Sequence, residues 1–176
     1  MQRLVTPVLK YWTCKRAPQH AAEALECLGG AGYVEESGLP RLFRQSPLNG
    51  VWEGSGNVIA LDVLRALAKA PESLDAYWDE VLLAAGNDGR LDEASTDLRK
   101  DLDAAVADPE HLEASARRLV EHMALVWQGA LLVQHAPAAV ADAFCASRFT
   151  GSGRAFGTMP VGPDAQAIVD RARPEV

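Results

Sequence analysis

Between residues 90 and 135 apolar side chains recur three and four positions apart. Leu91, Ala94, Leu98, Leu102 and Ala105 make one stripe; Leu119, Val120, Met123, Trp127, Leu131 and Leu132 make a second. That period belongs to helices and not to strands. Asp108-Pro109 separates the stripes, a capping acid followed by proline at the first helical position, where no N–H is needed. Long helices joined by so short a break predict helical hairpins. Abundant Ala and short β-branched runs point the same way, to an all-α helical bundle.

Other helices are predicted over residues 72–85, stopped by Gly86 and an Asn87-Asp88-Gly89 turn, and over residues 137–148 and 163–172. At the front of the chain, residues 4–28 carry a helical stripe that Gly29 and Gly30 end. Pro18 lies inside it and predicts a kink or two abutting helices. A further helix starts near Ser55 to Asn57, with one of those side chains as its cap, and runs to Lys69 before Pro71. Between these two helices lies a long glycine-rich stretch. A loop of that length in a compact domain is functional or disordered. Tyr33, Leu39, Leu42, Phe43, Val51 and Trp52 argue for order, with one short helix over residues 41–45.

Charge is uneven. Residues 1–69 hold 8 basic and 6 acidic side chains, residues 70–146 hold 5 and 15, and the remainder 4 and 3, which sums to −7. The net of −10 in the middle repels a phosphate backbone, so strong DNA binding is not expected; Arg99-Lys100 and Arg117-Arg118 read as solvated pairs among acids. Cys14, Cys27 and Cys145 lie far apart without a CxxC, which suggests neither a zinc site nor a disulfide framework and fits a reducing cytoplasm. His20, His111, His122 and His135 have no ligand spacing, so no metal is expected. No apolar run reaches membrane-spanning length, and no signal peptide is expected in the first residues.

The chemically pointed stretch is VWEGSGNVIALDVL. Glu53 stands between Trp52 and a Gly-Ser-Gly, just ahead of a helix. Two readings are open. An acid there can simply favour the free N–H groups of a helix start, an effect of about 0.3–1 kcal/mol. Alternatively, Trp52 shields one side of the carboxylate and makes it a better base. Gly54 and Gly56 let a ligand approach the backbone, and exposed N–H groups bind phosphate or an electron-rich ring edge. LGGAG, residues 28–32, ends a helix and follows no strand, so it is not a dinucleotide fingerprint.

GGAGYVEESGLPRLFRQSPLNGVWEGSGNV resembles the C-terminal helical domain of flavin-dependent acyl-CoA dehydrogenases. Trp before Glu-Gly, Ser-Gly after it and CKR in the first helix resemble the AidB-like branch, linked to the adaptive response to alkylation damage; ADAFCASRF and FGTMP add to that. The resemblance implies a family-like segment over residues 1–70 and an AidB-like helical extension over 71–176. It implies that Glu53 is the base that takes the α-proton of an acyl-CoA thioester. It assigns Trp52, Gly54, Ser55, Gly56 and Asn57 to a turn that contacts FAD. Gly29 and Gly30 would approach FAD held mainly by a neighbouring subunit, which implies a homo-oligomer. Arg44 matches the family's arginine, but Gln45 replaces the usual Asp.

Members of the family also carry an N-terminal helical domain and a β domain that hold most flavin and substrate contacts. Neither is in this sequence, so the chain alone is expected to bind FAD poorly and to be inactive. Two other readings are a non-catalytic DNA-binding or oligomerisation module of the same ancestry, and a plain structural bundle. The last leaves the glycine-rich stretch unexplained.

Overall fold

The computed structural model describes residues 1–151, 156–162 and 164–174, apart from the side chains of 109–111. His111 and Pro163, both singled out in the sequence, therefore lie outside the described residues. The elements in order are α1 (Gln2–Cys27), α2 (Gly30–Tyr33), a 3-10 turn (Glu35–Ser37), α3 (Leu39–Gln45), a second 3-10 turn (Ser46–Gly50), α4 (Gly56–Lys69), α5 (Glu72–Leu82), α6 (Gly89–Ala107), α7 (Pro109–His135), α8 (Ala138–Arg148) and α9 (Ala165–Ala172). There is no strand among the described residues, and no helix in them is long and apolar enough to cross a membrane. The chain divides into two compact units, Met1–Leu74 with Ala105–Ala124, and Asp75–Ala104 with Leu125–Val176.

In the first unit, Leu4, Val5, Val8, Tyr11 and Ala21 of α1 are buried, as are Ala60, Val63 and Ala66 of α4 and Leu119, Val120 and Met123 of α7. Arg117 Nε donates to the Tyr11 hydroxyl at 3.3 Å and ties α7 to α1. Pro18 does not divide α1, which is one helix with both Pro7 and Pro18 inside it. A proline there removes one i→i−4 hydrogen bond and leaves the Cys14 carbonyl without its helical donor. Packing outweighs that loss. The second 3-10 turn lies on α1 at this level, and a Cβ on Gly50 would stand 3.8 Å from the Cys14 oxygen.

Periodicity under-reads the stretch between α1 and α4. It is helical turns almost throughout, where one short helix was expected. Nor does burial of its large apolar residues order it, because Tyr33, Leu42, Phe43, Val51 and Trp52 are all exposed. Short-range hydrogen bonds and close packing on α1 do so instead. Ser37 Oγ donates to the Val34 carbonyl at 3.0 Å and Ser46 Oγ to the Phe43 carbonyl at 2.8 Å. Pro40, Ser46 and Gly32 are the buried members. Arg44 forms a bidentate pair with Glu35, at 2.7 and 3.0 Å. With Gln45 in place of an acid, the arginine has taken a carboxylate nine residues upstream. The pair is exposed, so it orients the turn more than it stabilises it. The Arg44 hydrogen bonds hold the Glu35 carboxyl below its ordinary value.

In the second unit, Tyr77 stacks on Trp127 with centroids 5.1 Å apart and meets Trp78 edge-on at the same separation. Val81, Leu91, Leu98 and Val126 are buried with them. Trp127 thus lies on the stripe that predicted it; Trp12 is half-buried, with Arg16 over its ring. Asp88, legible only as a turn residue, closes the start of α6. Its Oδ1 accepts from the backbone N–H of Arg90 at 2.9 Å and of Leu91 at 3.3 Å, and its carboxylate also pairs with the Arg90 guanidinium. Arg90 reaches on to Asp142 of α8 at 2.8 Å.

The Arg90 side-chain hydrogen bond, helped by the two backbone N–H groups, holds the Asp88 carboxyl below its ordinary value against the cost of partial burial. A depressed folded-state value means that the stabilisation is present above the unfolded carboxyl pKa and is lost as pH falls through the folded one. Asp88→Ala therefore costs about 2 kcal/mol at neutral pH, a helix cap plus a charge-assisted bond. In urea melts at stepped pH, the gap between variant and parent closes as the solution turns acidic. A gap that stays constant with pH would assign the loss to packing instead.

Candidate active-site turn

Residues 51–57 leave the second 3-10 turn and enter α4. The Val51 and Trp52 N–H groups close the turn on the Leu48 carbonyl, at 2.9 and 3.2 Å. The chain then bends through two consecutive left-handed residues, Glu53 at φ 54° and Gly54 at φ 106°. Glycine accepts this geometry freely. Glutamate does not, and among the described residues Glu53 is the one non-glycine with positive φ. A Cβ on Gly54 would also lie 2.9 Å from Ile59 Cδ1, the movable end of that side chain, so φ is what calls for glycine there.

The bend is held from α1. Lys10 Nζ donates to the Trp52 carbonyl at 3.0 Å and to the Gly54 carbonyl at 2.6 Å. Five residues on, Lys15 crosses Gly56, where a Cβ would come within 2.4 Å of Lys15 Cε. Both α1 lysines escaped the sequence reading. Each lies about 40 residues from its partner, and no spacing rule marks such a contact.

Ser55 occupies the capping position of α4, yet its hydroxyl makes no cap hydrogen bond, and Asn57 makes none in its place. The expected side-chain cap is absent from this end, so the first N–H groups of α4 have no protein acceptor among the described residues. Nor does any α4 N–H donate to Glu53, whose carboxylate makes no hydrogen bond or ion pair there. Glu53 and Trp52 are both exposed, Trp52 by 55%. In this chain the tryptophan does not enclose the acid.

Gly29 and Gly30 are at the other end of α1. Gly29 has φ 55°, which a helix end with a left-handed residue requires. Gly30 has ordinary φ and open space where its Cβ would be, so neither strain nor packing accounts for it. Gly32 has a packing role; its Cβ would fall 2.1 Å from the Leu25 carbonyl oxygen. From Lys15 to Gly29, α1 rises about 20 Å. The glycine pair and the Glu53 turn are therefore two places and not one cradle. Elsewhere, no three His, Cys, Asp or Glu side chains gather as metal ligands among the described residues.

Comparison with known proteins bears on this arrangement. Residues 1–68 match the family described as acyl-CoA dehydrogenase, C-terminal domain. The chain is 39% identical over 143 residues to the putative acyl-CoA dehydrogenase AidB of Escherichia coli strain K12, covering 81% of this chain and 25% of that protein. It is 36% identical over 151 residues to acyl-CoA dehydrogenase family member 11 of Caenorhabditis elegans, covering 77% and 24%. Among solved structures it is similar to C. elegans ACDH-11 in complex with C11-CoA, with TM-score 0.69 and 31% identity over 85% of this chain and 29% of that one. It is also similar to the apo form of Bd2924, with TM-score 0.60 and 32% identity over 74% and 25%. The chain spans about a quarter of the length of the curated relatives it matches, and the similarity to them runs well past residue 68.

Proposed function

Since residues 1–68 belong to the acyl-CoA dehydrogenase C-terminal domain family, we propose that the chain supplies the catalytic-base turn of an FAD-dependent, AidB-like acyl-CoA dehydrogenase. The observation that carries the reading is the Glu53 turn. A carboxylate with no protein partner is held in a conformation unfavourable to its residue type, beside helix N–H groups left uncapped. A helix-start acid of purely structural use would be bonded to those N–H groups, and it is not.

In this reading a carboxylate oxygen of Glu53 receives the α-proton of a saturated acyl-CoA thioester, and the electrons left behind form the α,β double bond. FAD, when bound, supplies the acceptor for the β-hydride. The residues on this chain suit such a group. Gly54 and Gly56 leave the backbone uncovered, and the α4 N–H groups with Ser55 and Asn57 can donate to the electron-rich edge of a ring. Trp52, exposed here, would cover the site once other segments close over it. Gly30, with no local reason to be glycine, suits close approach of a second flavin. Its distance from the Glu53 turn along α1 fits FAD held by a neighbouring copy, hence a homo-oligomer. Similarity beyond residue 68 supports the AidB-like branch for residues 71–176.

The flavin and substrate walls would then come from N-terminal helical and β segments such as the longer relatives have room for. The 176-residue chain alone is expected to show no stoichiometric flavin absorbance after incubation with FAD and gel filtration. Joined to those segments it retains the yellow chromophore. A stoichiometric chromophore on the chain alone would overturn the division of labour proposed here. As for DNA, the −10 balance of residues 70–146 opposes it, and no described feature favours that alternative.

A further inference from the structure

We propose that Lys10 is a positioning residue, clamping the backbone on either side of Glu53 so that the carboxylate is aimed without being neutralised. The proposal rests on Glu53 being the base. Its structural content is independent of that. The ammonium donates to the Trp52 carbonyl, just before Glu53, at 3.0 Å, and to the Gly54 carbonyl, beyond Glu53 and Gly54, at 2.6 Å. Two carbonyl dipoles turned toward one point repel each other unless a cation sits between them. With both oxygens drawn to Nζ, the two residues between them are left at positive φ, Glu53 at 54° and Gly54 at 106°. Local sequence does not favour the first of these angles, since an L-residue places Cβ against the following carbonyl there. A contact from another element has to impose it, and Lys10 is that contact.

Lysine suits the task chemically. Its ammonium is a compact point charge with rotatable donors, able to serve both carbonyls at once. Charge-assisted bonds are roughly twice as strong as neutral ones. Among the described residues Lys10 forms no ion pair with the Glu53 carboxylate. The clamp acts on the backbone, and the side chain stays free for proton transfer. Lys15 lacks this role: it packs by its stem across Gly56, with no hydrogen bond to the turn.

The test reads geometry first. In the isotope-labelled chain, the Glu53 Cα and Cβ shifts and its HN–Hα coupling report the left-handed conformation directly. Lys10→Met keeps an apolar stem and a good helix former in α1, so the chain stays folded. Its Glu53 signals are expected to move to the extended or right-handed range, with faster amide exchange at Glu53 and Gly54. Lys10→Arg, which keeps charge and donors, is expected to retain most of the left-handed signature. An unchanged Glu53 signature in Lys10→Met overturns the clamp. So does an arginine variant that loses the turn as fully as methionine. In the flavin-bearing assembly, Lys10→Met should lower kcat by about 100-fold with KM nearly unchanged, the scale of an ångström-sized misplacement. A displaced turn with unchanged kcat would refute Glu53 as the base, the reading beneath the proposal, while leaving the clamp geometry standing.

Discussion

Gly32→Ala is expected to destabilise the first unit by about 3 kcal/mol, near the upper end for overpacking. Helix propensity alone would predict the opposite, since Ala is favoured over Gly within a helix by about 1 kcal/mol. Geometry decides the sign. The new Cβ would fall 2.1 Å from the Leu25 carbonyl oxygen and 3.1 Å from Leu28 Cβ. The first is backbone of the last turn of α1, so no rotamer change relieves it, and α2 has to back away from α1. The chain from α2 to α4 would shift with it. Thermal melts are expected to show a loss of about 10 °C. Gly30→Ala is the control, because open space surrounds that position and its φ is ordinary. It leaves stability within about 0.5 kcal/mol of the parent. If it also weakens flavin retention in the chain joined to its flavin-bearing segments, Gly30 is glycine for a ligand. Equal stability losses in the two variants would show that the collision at Gly32 relaxes away.

These glycines show where sequence reasoning succeeds and where it stops. Three glycines in LGGAG exceed what a helix stop needs, and that excess is visible in the sequence. Which glycine answers to φ, which to packing and which to neither depends on coordinates. The helices themselves were legible because amphipathic stripes repeat over many turns, and Asp108-Pro109 does mark the start of α7. The short turns between α1 and α4 were not. One turn of helix has too few residues to show a period, and here the large apolar side chains face outward. Of the two outcomes Pro18 allowed, a kink or two abutting helices, the division does not occur, because the proline rule counts one lost hydrogen bond and not the packing around it. In the turn, Glu53 and its glycines stood out by residue type and by resemblance to a family. The left-handed backbone at Glu53 did not, nor did the lysine that holds it, because both arise from a contact between segments about 40 residues apart.

Glu53→Gln, in the chain joined to its flavin-bearing segments, is expected to slow flavin reduction by a saturated acyl-CoA by about 10³-fold, within the usual span for a lost general base. The substitution keeps volume and reach and removes the basic oxygen. It leaves the fold alone, because the Glu53 carboxylate bonds to nothing among the described residues and an exposed side chain of this kind changes stability by about 0.5 kcal/mol or less. Anaerobic mixing, followed by bleaching of the flavin absorbance, measures the rate, and gel filtration measures the assembly. Slow bleaching with flavin and assembly retained identifies a catalytic group. An unchanged rate places the base elsewhere and returns the turn to a binding or structural role. Glu53→Gly separates strain from chemistry on the same turn. Relief of the left-handed backbone gains about 1–2 kcal/mol, and added chain entropy offsets about 0.4–1 kcal/mol of it. The glycine variant should therefore be at least as stable as the parent while as slow as the glutamine one. A side chain whose removal favours the fold and abolishes the reaction is not kept for stability, and no structural reading of Glu53 accommodates that pair of results.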